Sequence, residues 1–104
     1  MLISLDLIKQ HCRIEHDVED ELLESYVLAA HTYIESQLDR RVYAKTLPED
    51  DPQGQLFNTA IMQAMLMTIA HWYEHREAVQ IGTITKEIEL GVWRLIQPYR
   101  RIGV

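Results

Sequence analysis

Residues 57–74, Phe57-Asn58-Thr59-Ala60-Ile61-Met62-Gln63-Ala64-Met65-Leu66-Met67-Thr68-Ile69-Ala70-His71-Trp72-Tyr73-Glu74, decide the fold. Phe57, Ile61, Met65, Ile69 and Trp72 recur at helical spacing along one side. Met62, Leu66 and Tyr73 cover the next side, and Ala60, Ala64 and Met67 another. The pattern predicts a helix over 55–78. A helix apolar nearly all round must be covered nearly all round. Two or three partner helices in so short a chain leave part of it for another subunit, so self-association is expected.

This helix ends in His71-Trp72-Tyr73-Glu74-His75-Arg76-Glu77-Ala78-Val79, whose first five residues form H-x-x-E-H, a zinc-hydrolase pattern. His71 and His75 share a face, with Glu74 beside them. A catalytic zinc needs a third protein ligand and an open position for water, and only Glu77, Glu87 and Glu89 follow. The pattern therefore reads as the polar end of the helix. Arg76 lies one turn beyond Trp72, where it can cover the indole face or pair with a carboxylate of the second helix. His11, Cys12 and His16 lack a second cysteine and read as a helix-end cluster. Ser4, Ser25 and Ser36 sit in no glycine-rich elbow, and no phosphate-binding glycine loop occurs. No enzyme, metal or cofactor is expected.

The rest of the chain supplies helices to pack on this one. Ser4 caps a helix from Leu5 to Cys12, with Leu5, Ile8 and Cys12 on one face. Asp17 reads as the N-cap of a second helix, with Val18, Glu19, Asp20 and Glu21 in its first turn, where the dipole favours carboxylates. Leu22, Leu23, Tyr26, Val27, Ala30, Tyr33, Ile34 and Leu38 form its apolar stripe. Glu21, Glu24, His31, Glu35 and Asp39 make a solvated face opposite, and Arg40 and Arg41 suit its C-terminal end. Residues 41–55 are a loop around Leu47-Pro48-Glu49-Asp50-Asp51-Pro52-Gln53-Gly54, without calcium-loop spacing.

Gln80 to Ile88 alternates apolar and polar residues and predicts an extended arm that needs a partner strand, for example from a neighbouring subunit. A last helix, Leu90 to Gln97, buries Val92, Leu95 and Ile96 and stops at Pro98. The fold class expected is all-α: a small bundle of about four helices, with a short extended arm between the third and fourth.

Composition agrees. The 104 residues are expected to make one domain, 1–104, with one core and no room for a catalytic cleft plus a substrate domain. Apolar residues are 47% and charged residues 25%, with four Gly and three Pro, as in a folded helical protein. A net charge of -6 and a pI near 5.2 argue against a surface that grips phosphates. An acidic wall repels duplex DNA and so lets it pass without sticking. With Cys12 alone there is no intrachain disulfide. The N-terminus has no signal-peptide pattern, and the apolar run Ala60 to Ala70 is about half of the roughly 20 residues a membrane span needs, so a soluble protein is expected.

Four segments together carry a more specific signal. They are Leu5 to Ile14, the acid-led Asp17 to Ile34, His71 to Val79 with its W-Y-x-x-R-E-A, and Leu95-Ile96-Gln97-Pro98-Tyr99-Arg100-Arg101. In this order the chain resembles the gp6-like head-tail connector, or head completion, proteins of long-tailed double-stranded DNA bacteriophages and prophages. The resemblance implies a structural virion protein, synthesised in the bacterial host cytoplasm. It further implies a homo-oligomeric ring of about twelve copies below the portal. Such a ring extends the DNA channel, without sequence-specific binding or membrane contact, and docks the tail or a second connector protein.

On that reading Met62, Leu66, Trp72, Tyr73, Arg76, Ile81, Ile84 and Ile88 are candidates for contacts between subunits. Glu49, Asp50, Asp51, Tyr99, Arg100 and Arg101 are candidates for contact with the portal or tail. The other reading of the same helices is a free-standing protein-protein interaction module of a phage or prophage, which gives no reason for the closing Pro98-Tyr99-Arg100-Arg101.

Overall fold

The computed structural model describes residues 2–15, 18–74 and 86–100. They form helices α1 (Leu5–Cys12), α2 (Asp20–Leu38), α3 (Thr59–Glu74) and α4 (Lys86–Ile96), followed by a 3-10 turn, Gln97–Tyr99. Two short strands, β1 (Val42–Tyr43) and β2 (Gln55–Leu56), lie between α2 and α3. The fold is all-α apart from this pair.

Local chemistry sets each boundary. The Ser4 hydroxyl accepts from the Leu7 N–H at 3.2 Å, and Arg13 ends α1 in the left-handed region at φ 59°. The start of α2 differs from the expectation: Val18 and Glu19 form a turn, and the helix begins at Asp20 with Glu19 as its cap. Glu19 sends its carboxylate to the hydroxyl of Tyr73, which donates at 3.0 Å, so the side chain joins two helices instead of capping one. Asp17 lies outside the described residues. Asp20 is paired with Lys9 Nζ at 2.7 Å, which ties α1 to α2.

The start of α3 is also later than the pattern predicts, at Thr59 rather than 55. Asn58 is the cap, its Oδ1 accepting from the Ile61 N–H at 2.9 Å. Gln55 and Leu56 instead pair in parallel with Val42 and Tyr43, so the strand pair spans the predicted loop and the predicted start of the helix. The arm expected over 80–88 is corrected at its end: residues 86–88 are the first turn of α4. Ile88, Val92 and Ile96 repeat at four residues, and that helical spacing turns one side of α4 onto the core. Residues 80–85, with Ile81 and Ile84, lie outside the described residues, as do His75 and Arg76.

α3 is the central helix, with α1, α2 and α4 packed around it. That arrangement supplies within one protomer much of the cover its all-round apolarity demands. Ile61, Ala64, Met65, Leu66, Ile69 and Trp72 are buried against Leu23, Tyr26, Val27, Ala30 and Ile34 of α2 and Val92 and Ile96 of α4. Trp72 meets Tyr26 with ring centroids 5.9 Å apart and planes tilted by 52°, a favoured aromatic arrangement. The buried Thr68 hydroxyl donates to the Ala64 carbonyl at 2.9 Å, so no polar cost is left there. Gly91 lets α4 approach α3: a Cβ at this position would lie 2.7 Å from Met67 Cε.

Candidate docking surface

The loop after α2 and the C-terminal turn meet at Arg40. Its Nε donates to the Gln53 carbonyl at 2.7 Å, Nη2 to the Gly54 carbonyl at 2.8 Å, and Nη1 to the Tyr99 carbonyl at 2.8 Å. A planar guanidinium with five N–H donors suits this task, because it can address several carbonyls at once. Asp39 makes the position possible by adopting φ 55°, a left-handed conformation aspartate tolerates, which ends α2 and turns the chain. The basic pair that reads as a helix end is therefore divided. Arg40 is a clamp, and Arg41 stays exposed.

The loop is fixed from the other side by a pair that the helix pattern assigns to solvent. Glu35 and His31, one turn apart on α2, both reach β1 and are half-buried. The Val42 N–H donates to Glu35 Oε2 at 2.8 Å, and His31 Nε2 lies 3.1 Å from the Val42 carbonyl. Val42 is itself buried. Further along, the Tyr43 hydroxyl donates to Asp51 Oδ2 at 2.6 Å. That hydrogen bond, with burial and the Asp51 and Asp50 charges, raises the Tyr43 pKa against the opposing effect of Arg41. Gly54 is buried under the same ring: a Cβ there would be 2.6 Å from Tyr43 Cε2.

The six portal or tail candidates divide accordingly. Glu49 and Asp50 are exposed at the loop tip, and Asp51 is half-buried at Tyr43. Tyr99 is half-buried and joined through its carbonyl to Arg40, while the Arg100 guanidinium carbon stands 5.3 Å from the centre of the Trp93 ring. Arg101 lies outside the described residues. An open groove of about 710 Å³ runs between α2 and the loop, lined in part by Glu35, Asp39, Arg41, Tyr43, Asp50 and Asp51. One end of the molecule thus carries an acidic loop and a basic C-terminal turn, held together by Arg40.

The subunit-contact candidates are placed differently. Leu66 and Trp72 are 3% and 1% exposed, so within the protomer they present almost no surface. Met62, Tyr73 and Ile88 are half-buried. His71 is buried in α3, and among the described residues no group of three His, Cys, Asp or Glu side chains could hold a metal ion. Burial, and secondarily the Glu74 charge, raise the Cys12 pKa, which keeps it a thiol rather than a nucleophilic thiolate. No described helix is long and apolar enough to cross a membrane.

The family model for phage gp6-like head-tail connector proteins matches residues 2–100. No curated protein and no solved structure matches the chain.

Proposed function

The chain belongs to the phage gp6-like head-tail connector family, and from that premise we propose that it forms a ring below the portal of a filled head. The family is structural rather than enzymatic, and its members are components of the virion. In this reading the ring extends the DNA channel and offers its far side to the tail or to a second connector protein. The observation that carries the docking part is the Arg40 clamp, which presents residues 49–54 and 97–100 as one surface. These bonds join the two segments before a partner is met, and preorganisation of that kind reduces the entropy lost on binding.

Charge supports the channel part. A net charge of -6 weakens adhesion to phosphate, and a conduit must not hold the duplex that slides through it. The opposite signs of Glu49 and Asp50 on one side and Arg100 on the other suit a partner with its own alternating charges, which steers orientation.

Electron microscopy of the protein mixed with portal-containing heads tests the proposal. The expected image is an added ring of density at the portal vertex, lost when Glu49 and Asp50 are both changed to Lys. Portal vertices that stay bare at saturating protein would overturn it.

A further inference from the structure

Two exposed leucines sit on different sides of the protomer, one flanked by acids and the other beside a cleft of mixed charge. Leu28 of α2 is 60% exposed, with Glu24 one turn before it and Glu21 two turns before it on the same helical face, both exposed. Leu90 of α4 is 53% exposed and borders a cleft of about 370 Å³ with Trp93, Glu89 and Gln37. Basic groups adjoin that cleft: the exposed Arg94 lies one turn beyond Leu90, and Arg100 stands over Trp93.

The helix geometry separates the two patches. Gln37, which lines the cleft, is nine positions after Leu28, about two and a half turns at 3.6 residues per turn, and so on the opposite side of α2. One protomer can therefore use both patches at once. A contact between two different patches repeats head to tail and generates either a closed ring or an open filament.

We propose that the α2–α4 cleft at Leu90 and Trp93 seats Leu28 of a second copy of this chain. Glu24 and Glu21 of the incoming α2 then face Arg94 and Arg100 of the receiving protomer. The proposal rests on the ring reading above and supplies the lateral contact it needs, outside the α3 surface. The occupant is a second copy because this chain itself carries a patch that fits: an exposed leucine among acids for a cleft whose one lining acid, Glu89, is outnumbered by Arg94 and Arg100 at its border. Burying leucine and tryptophan at the centre with charges at the rim is the usual anatomy of a specific interface.

Cross-linking tests it. Leu28→Cys and Leu90→Cys are made separately in a Cys12→Ala background, mixed in equal amounts and oxidised. The mixture is expected to give roughly tenfold more covalent dimer than either variant alone, the difference that about 1.4 kcal/mol of specific pairing produces. No excess of dimer in the mixture overturns the proposal. Glu24→Arg in the Leu28→Cys chain is expected to lower the yield, and Arg94→Glu in the Leu90→Cys chain to restore it. Failure of that rescue also counts against the contact.

A chain carrying both cysteines separates this contact from the ring. Cross-linking that proceeds as an unlimited ladder, with no closed species by electron microscopy, keeps the contact and defeats the ring. Rings seen without any specific cross-link keep the ring and defeat the contact.

Discussion

Arg40 Nη1 donates to the Tyr99 carbonyl at 2.8 Å, joining residues 59 positions apart across the end of the bundle. Through the same guanidinium, the turn after α4 and the loop before β2 share one anchor. Arg40→Ala leaves three carbonyls without this donor, two of them in partly buried hydrogen bonds. A loss of about 2–4 kcal/mol in stability is expected from charge-assisted bonds of this kind. Arg40→Lys recovers only part of it, because an ammonium is a point charge rather than a fork. Urea denaturation measures the loss, and amide exchange should show faster opening at residues 97–100 in both variants.

Glu35 is the next test, since the pattern on α2 gives it no structural duty. Glu35→Ala strands the N–H of the buried Val42 and should cost about 1–3 kcal/mol. Glu35→Gln keeps a carbonyl acceptor and should cost less. Equal losses in thermal or urea unfolding would show that the carboxylate charge, rather than its acceptor role, holds β1.

The two close-packed glycines should respond oppositely to alanine. Gly54→Ala pushes a methyl into the Tyr43 ring, which Asp51 holds, and a loss of about 1–3 kcal/mol is expected. Gly91→Ala meets only the terminal methyl of Met67, a flexible group, while gaining up to about 1 kcal/mol of helix propensity. It is expected to be neutral or stabilising, and the midpoints of paired urea curves compare the two directly.

Alkaline pH gives a test with a definite sign. Cys12 and Tyr33 have raised pKa values, chiefly through burial and then through the Glu74 and Glu89 charges, and Tyr43 through its bond to Asp51. The folded protein therefore holds these protons to higher pH than the unfolded chain. Their contribution is complete below the unfolded values and is lost as pH rises through the folded ones. Stability should be steady near neutrality and decline above about pH 9, where free cysteine and then tyrosine ionise. Tyr43→Phe should flatten part of that decline in a series of urea midpoints.

Much of the bundle was legible because apolar spacing is a direct image of burial. Leu23, Tyr26, Val27, Ala30, Ile34 and Leu38 of the predicted α2 stripe are buried, as are Val92 and Ile96 of α4. The starts of α2 and α3 lie later than the pattern predicts for a common reason. Acidic and apolar residues near a helix end look helical in isolation, whereas Glu19 is engaged by Tyr73 and Gln55 by a strand 13 positions earlier. Such long-range partners leave no periodic trace. The candidate docking surface is half legible. The family resemblance names both of its segments, 49–51 and 99–100, but nothing in the spacing of Arg40 marks it as their link. A signal existed in the aspartate before it, a residue that tolerates the left-handed turn and so re-aims the arginine.

The pairing of Val42 with Gln55 and of Tyr43 with Leu56 is parallel, so residues 44–54 must leave one end of the ladder and return to the other. Both feet of that excursion are fastened, by Glu35 and His31 at β1 and by Arg40 at Gly54. A segment with independently secured feet can lengthen, shorten or change charge at its crest with little effect on the helices, since loop closure grows costlier only slowly with length. Its crest, around Glu49 and Asp50, is thus the natural site for adapting the protein to a new partner, by evolution or by grafting a peptide tag, while the bundle beneath stays as it is.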